Sequence, residues 1–311
     1  VYEAFFQFQE PPFNLTPDAR FVYLSRGHQE ALEHMLYGVE QRKGFILMVG
    51  DIGAGKTTLT RLLLDRLDEK TRPALIFNTF LTEIELLRAI NREYGVSTRG
   101  RTREELLATL GRFLIGQLDK GGTAVLIIDE AQNLSVPVLE QLRMLSNLET
   151  DTQKLIQIIL AGQPELGRIL SRPDLTQLSQ RVTVRCHLSP MDREDTIRYI
   201  HHRLFVAGSQ NLARFGDKTC RLIHRLSGGV PRRINALCDR ALLVAYARGM
   251  HEVKPGAVWQ AQSEITGGPA RGGWNAALGL TARRGLVMAG FLVLLALILS
   301  YLSYAAIRSS L

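Results

Sequence analysis

The chain has 311 residues, 46% of them hydrophobic and 22% charged, with a formal net charge of +8; that composition excludes a disordered or fibrous chain and leaves room for about two domains. Four arginines and no acid fall after residue 270, which leaves +4 for the preceding part, a charge too mild to argue for nucleic acid by itself. Three cysteines (Cys186, Cys220, Cys238) without C-x-x-C spacing exclude a disulfide framework and a zinc knuckle, and they point to a reducing compartment.

Residues 1–26 carry Pro11, Pro12 and Pro17 among Phe5, Phe6, Phe8, Phe13, Phe21 and Tyr23. The prolines exclude a regular helix, and the aromatics need something to pack on. This arm is expected to pack on the domain that follows and to cover an adenine with part of its length. Residues 1–20 lack the apolar stretch of a signal peptide. Residues 27–43 read as an amphipathic helix, with Ala31, Leu32, Met35, Leu36 and Val39 at helical spacing and Gly44 ending it.

Phe45 to Val49 read as a buried parallel strand, and Thr58 to Leu64 read as a helix. Between them Gly50-Asp51-Ile52-Gly53-Ala54-Gly55-Lys56-Thr57 fits G-x-x-x-x-G-K-[ST]. Strand, glycine loop and helix are the arrangement that phosphate binding needs. The glycines let backbone N–H groups turn inward around phosphates, and the helix N-terminus adds partial positive charge. Lys56 is expected to reach the β- and γ-phosphates of ATP and Thr57 to ligate Mg²⁺, with Thr58 closing the nucleotide contacts.

Residues 73–78 read as a second buried strand ending in Asn78, followed by helices at 82–94 and 102–118. Ala124 to Ile128 form an apolar strand that ends in Asp129-Glu130. With the glycine loop, this pair predicts an ATPase site in which Asp129 holds Mg²⁺ and Glu130 acts as general base on water. The intervening strand 73–78 suggests the class of P-loop proteins with an added central strand. Leu155 to Gly162 form the next buried strand, with Gln163 at its carboxyl end. Ligands in open α/β sheets bind beyond the carboxyl ends of the strands. Gln163 is therefore expected near the γ-phosphate or its water, and Asn78 is expected to hold Glu130 until needed. Arg172 and Arg181 precede a fifth strand, residues 182–188, and offer an arginine to a neighbouring subunit's γ-phosphate.

From residue 191 the pattern is wholly helical, over 192–207, 217–226 and 232–249. Arg232-Arg233 open the last helix, where cations oppose the macrodipole unless an anion is bound. No metal-ligand spacing appears apart from the nucleotide's Mg²⁺. A Gly/Pro-rich linker is expected over 263–284. Residues 285–307 then run for 23 residues without a charge, about 34 Å as a helix against a bilayer core of about 30 Å. Arg283-Arg284 before it and Arg308 after it put residues 1–284 in the cytoplasm by the positive-inside rule. The span then ends almost where the chain does: it is either a tail anchor or the lead into a far-side domain.

Taken together these motifs resemble the AAA+ superfamily. The resemblance implies a five-stranded parallel sheet with helices on both faces as the core (27–190), a helical lid (191–262), and a homo-oligomeric, hexameric ring with ATP between neighbours. Position by position, Gln163 resembles sensor 1, although Asn, Ser or Thr is commoner there; Arg181 resembles the arginine finger acting in trans, and Arg232 in Gly-Gly-Val-Pro-Arg resembles sensor 2. The strings Phe-Phe-Gln-Phe-Gln-Glu-Pro-Pro-Phe, Leu-Ile-Ile-Asp-Glu-Ala-Gln-Asn-Leu and Leu-Ala-Gly-Gln-Pro-Glu-Leu narrow the resemblance to the general secretion pathway protein A family, with its relatives of pilus and exopolysaccharide loci. That family implies an inner-membrane ATPase that assembles an outer-membrane secretin of type II secretion with a bitopic partner, general secretion pathway protein B. Many members add a periplasmic peptidoglycan-binding domain after the span; the residues that carry the resemblance here give no expectation of wall binding. Two other readings stand beside it: a helper ATPase of DNA transposition, and a nucleotide-locked scaffold with little turnover. Nucleic acid is not expected as a partner.

Overall fold

The computed structural model describes residues 1–14, 18–100, 102–209 and 212–267. The expected span at 285–307, and the expected linker beyond Gly267, lie outside the described residues. Among those described, no helix is long and apolar enough to cross a membrane.

A one-turn helix α1 (Glu3–Phe6) opens the chain, and α2 (Arg26–Glu40) leads into β1 (Phe45–Gly50) and α3 (Lys56–Arg66). Then come β2 (Thr71–Ile76), α4 (Glu83–Glu93), α5 (Arg103–Asp119) and β3 (Thr123–Ile128). Both α4 and α5 start on capping boxes, Thr82 with Glu85 and Thr102 with Glu105. After α6 (Val136–Leu145) follow β4 (Ile156–Gly162), α7 (Pro164–Leu170), α8 (Thr176–Arg181) and β5 (Val182–Leu188).

The five strands form one parallel sheet in the order β2-β3-β4-β1-β5. Alternate residues of β1 serve opposite faces. Phe45 and Leu47 join a core with Leu86, Ile90, Leu110 and Leu142, whereas Ile46 and Met48 join a core with Leu32, Met35, Leu59 and Leu63. Both faces are thus covered by helices, which is why every residue of β4 is buried and its sequence is apolar but for Gln157, whose side-chain oxygen accepts from the Gly44 amide at 2.7 Å. The expected α/β architecture is present, with one correction in space. The strand between the two motif strands β1 and β3 is β4; the one at β2 is an edge.

The remaining elements are helical: α9 (Arg193–Val206), α10 (Asp217–Ser227), α11 (Pro231–Ala247) and α12 (Pro255–Thr266), with a short parallel pair β6 (Arg214–Phe215) and β7 (Glu252–Val253). The sequence reading missed α12. Pro255-Gly256 looks like a break, yet proline at the first helical position costs no hydrogen bond. Residues 263–266, expected in a linker, are its last turn.

The arm packs mainly on these helices, where the expectation was the sheet domain, which only its last residues reach, through Leu24. Tyr2, Phe6, Phe8, Phe13 and Phe21 share a core with Tyr199, Leu204, Phe215 and Leu242. Arg203 on α9, 7% exposed, fastens the arm. Its guanidinium donates to the Pro12 carbonyl (2.6 Å), the Asn14 carbonyl (3.1 Å) and the Tyr199 hydroxyl (2.9 Å), and it lies 4.9 Å from the centre of the Phe21 ring. Buried bonds to a charged donor contribute about 1.5–3 kcal/mol each and are not additive. Arg203→Met keeps the stem and removes the donors, so it is expected to cost about 2–4 kcal/mol in denaturant melts. Limited proteolysis should then cut first within residues 1–24; an unchanged midpoint would show that the aromatics alone hold the arm.

Candidate functional site

At the carboxyl edge of the sheet, β1 ends against β5 and the chain turns through residues 51–55 into α3. Gly53 and Gly55 adopt left-handed backbone (φ 79° and 102°), and a Cβ on Gly53 would stand 2.6 Å from Cβ of Arg232. Glycine is therefore required at Gly53 twice, by conformation and by the close approach of α11. The contact also joins the two parts of the molecule: the Arg232 amide donates to the Gly53 carbonyl at 3.4 Å.

Lys56 is 6% exposed. Its ammonium donates to the Gly50 carbonyl (2.8 Å) and the Asp51 carbonyl (3.1 Å), across the mouth of the loop. Burial pushes its pKa down, opposed by Glu130, Asp129 and Asp51. A cation held this way is short of negative charge, and a phosphate would supply it. The Thr57 hydroxyl donates to Oδ2 of Asp129 at 2.8 Å, and Asp129 is 3% exposed. A hydroxyl and a buried carboxylate oxygen side by side are the hard oxygen donors that suit Mg²⁺. The residues present therefore fit a magnesium nucleotide.

Glu130 follows with φ 52° and ψ 36°, a left-handed backbone that costs a non-glycine residue about 1–3 kcal/mol. Its own amide donates to Oδ1 of Asp129 at 2.9 Å. Oε2 of Glu130 accepts from the side-chain amides of Gln132 (2.6 Å) and Gln163 (3.2 Å). These bonds, that of Gln132 first, hold the carboxyl below the usual carboxylate range against partial burial, with help from Lys56.

A cleft of about 430 Å³ opens between the loop, the arm and the helical part. Gly53, Gly55, Lys56, Thr57, Thr58, Glu130, Gln163 and Arg232 all line it, together with Phe21, Tyr23 and Leu24 of the arm. Ile52 lines it as well, whereas Gly50, Asp51 and Ala54 support the loop from outside the lining. Gly50 is close enough to β5 that a Cβ would meet that of Leu188 at 2.8 Å. Of the two arginines that open α11, Arg232 lines the cleft and Arg233 does not; Arg203 of α9 lines it as well. Arg181 and Arg172 lie outside it. Arg181 donates to the Ser146 hydroxyl at 3.0 Å, and Arg172 pairs with Asp174. Asn78 is a correction. β2 ends at Ile76, so Asn78 is exposed in the loop beyond, where its carbonyl accepts from the Phe80 amide at 3.2 Å. The partners of Glu130 are the two glutamines.

Two contributors went unseen in the sequence. Gln132 follows the Asp-Glu pair closely enough to look like loop, and only the 3-10 turn Ala131–Asn133 folds it back onto Glu130. His28, buried in α2, bridges the Ser25 hydroxyl and the Ala54 carbonyl, at 2.8 Å from the latter. Burial lowers its pKa, so the neutral ring donates from Nε2 to the phosphate loop and accepts from Ser25 at Nδ1. No spacing pattern signals it.

Residues 39–170 match the AAA domain family. Across 290 residues, 93% of its length, the chain is 43% identical to general secretion pathway protein A of Aeromonas hydrophila, and it spans 53% of that protein. Among solved structures it resembles the ORC2 protein of Aeropyrum pernix in its ADPNP and ADP complexes (TM-score 0.62, 18% identity, 83% of this chain and 72% of that one). It also resembles a Walker-type ATPase of Pyrococcus abyssi (TM-score 0.58, 16% identity, 88% and 80%). The structural likenesses establish the fold alone. With the glycine loop, the Asp-Glu pair and the 2-3-4-1-5 strand order assembled as described, and with that identity over nearly all of its length, the chain is an AAA ATPase related to general secretion pathway protein A, spanning about half the length of the Aeromonas relative.

Proposed function

We propose that this chain hydrolyses ATP. The observation that carries the reading is the convergence of Lys56, Thr57 and Glu130 on one cleft, with Asp129 bonded to Thr57 just behind its lining. Lys56 and the loop amides hold the β- and γ-phosphates, the arm covers the base, and Arg232 faces the phosphates from α11. Thr57 and Asp129 would hold a magnesium ion, which supplies neutralising charge to the phosphate oxygens. Glu130 orients a water whose oxygen bonds to the γ-phosphorus as that atom's bond to the β–γ bridging oxygen breaks. The water's proton passes to the carboxylate of Glu130 and then to solvent, and the products are ADP and phosphate.

The finger comes from a neighbour. Arg181 does not line its own chain's cleft, yet it ends α8 at the foot of β5, and a site completed in trans makes the working form a ring, hexameric by family resemblance. The uncharged stretch 285–307 supports an inner-membrane anchor with the ATPase on the cytoplasmic side. The Aeromonas relative's name supports a place in type II secretion, where the ring would act with a bitopic partner resembling general secretion pathway protein B to assemble a secretin. The ORC2 likeness, at 18% identity, shows the fold alone and brings no DNA partner with it.

Mass photometry of the full chain in nanodiscs, with ADP and with a non-hydrolysable ATP analogue, tests the shared site alongside Mg²⁺-dependent phosphate release. Rings are expected with the analogue. Arg181→Ala is expected to lose them, or to keep them with turnover reduced about 10³-fold. Monomers under every nucleotide would sink the ring; absence of phosphate release from assembled rings would leave a nucleotide-locked scaffold.

A further inference from the structure

The geometry points to Gln132 as the residue that positions Glu130 for hydrolysis. The inference rests on the ATPase reading and goes beyond it by assigning what controls the base.

Gln132 is held at both ends. Its carbonyl oxygen accepts from the backbone amide of Gln163 at 3.0 Å, and its NH₂ donates to Oε2 of Glu130 at 2.6 Å. The carboxamide sits close against the end of β4, where a Cβ on Gly162 would come within 2.8 Å of its oxygen. It is therefore a fixed strut from the end of β4 to the carboxylate beyond β3. Side-chain assignment of an amide is decided by its partners, and here they leave one choice: a backbone N–H needs the oxygen, and a carboxylate needs the nitrogen.

Both recorded donors to Glu130 meet the same oxygen. Oε2 takes Gln132 and Gln163, while Oε1 has no hydrogen-bond partner among the described residues. A general base needs one oxygen free to accept the proton of water and a carboxylate plane held still. Two amides on Oε2 fix the plane and leave Oε1 for the water. The strained backbone of Glu130 fixes the stem of the same side chain.

Removing the strut should therefore slow the chemical step and spare nucleotide binding, because Gln132 is absent from the cleft lining that holds the phosphates. Two variants separate positioning from folding. Q132L removes both bonds. Q132E keeps the acceptor for the Gln163 amide and removes the donor to Glu130. Both are expected to lower kcat on the order of 10²-fold with KM for ATP unchanged. Each combined with E130Q should be no slower than E130Q alone, because the strut has no base left to hold. Unchanged or raised kcat, a change confined to KM, or additive losses in the double variants would overturn the inference. Wild type and E130Q in the same assay keep the two claims apart. If wild type shows no turnover or E130Q retains it, the ATPase reading fails; if those two behave as expected and the Gln132 variants equal wild type, only the strut fails.

Discussion

Glu130→Gln is expected to bind ATP as wild type does and to lose turnover by about 10²–10⁴-fold, the range that a positioned general base contributes. The substitution is isosteric. Its carboxamide oxygen can still accept from Gln132 and Gln163, so the geometry around β3 and β4 should survive. What disappears is the ability to take a proton. Steady-state phosphate release at saturating ATP, with KM determined in the same titration, reads the result. A fall in kcat at constant KM places the loss in the transition state. Turnover equal to wild type would remove Glu130 as the base, and the left-handed backbone at that position would then need another explanation.

Lys56→Ala is expected to weaken ATP binding at least ~100-fold, since a charge-assisted hydrogen bond contributes about 1.5–3 kcal/mol and the ammonium would serve two phosphates. The direction of its effect on the nucleotide-free protein is separately informative. Burial disfavours the charged form of Lys56, and its hydrogen bonds are to two carbonyls of its own loop. Removing it should leave the unliganded melting temperature unchanged or raised. Wild type at 100 times its Kd should gain about 2.7 kcal/mol from ATP, whereas the variant at the same concentration should gain almost nothing. Thermal melts with and without Mg-ATP check both halves at once. An equal ATP-induced shift in the two proteins would mean that the loop amides bind phosphate unaided.

The local elements were legible for a local reason. A buried parallel strand has to be apolar on both faces, so Ile127-Ile128 and Ile158-Ile159 announce themselves, and the glycine loop and the Asp-Glu pair sit at ends that such strands define. Chain order alone could not tell which strand lies between β1 and β3, because β4 inserts from later in the sequence. It could not place the arm either. Phe6, Phe13 and Phe21 demanded a partner, and nothing in their spacing said whether that partner was the sheet or the helices that follow it.

By itself, then, the sequence determined the chemistry on offer: a phosphate loop, a metal-binding hydroxyl with its acid, a base, and arginines to spare. Each of these depends on one residue at one end of one element. The tertiary structure decided who touches whom. It gave Glu130 to Gln132 and Gln163 in place of Asn78, set His28 beneath the loop, brought Arg232 to Gly53, and kept Arg181 out of its own chain's cleft. Those pairings span up to 179 positions in the chain, as between Gly53 and Arg232. Contacts of that reach are set by how helices cover a sheet, which no window of neighbouring residues encodes.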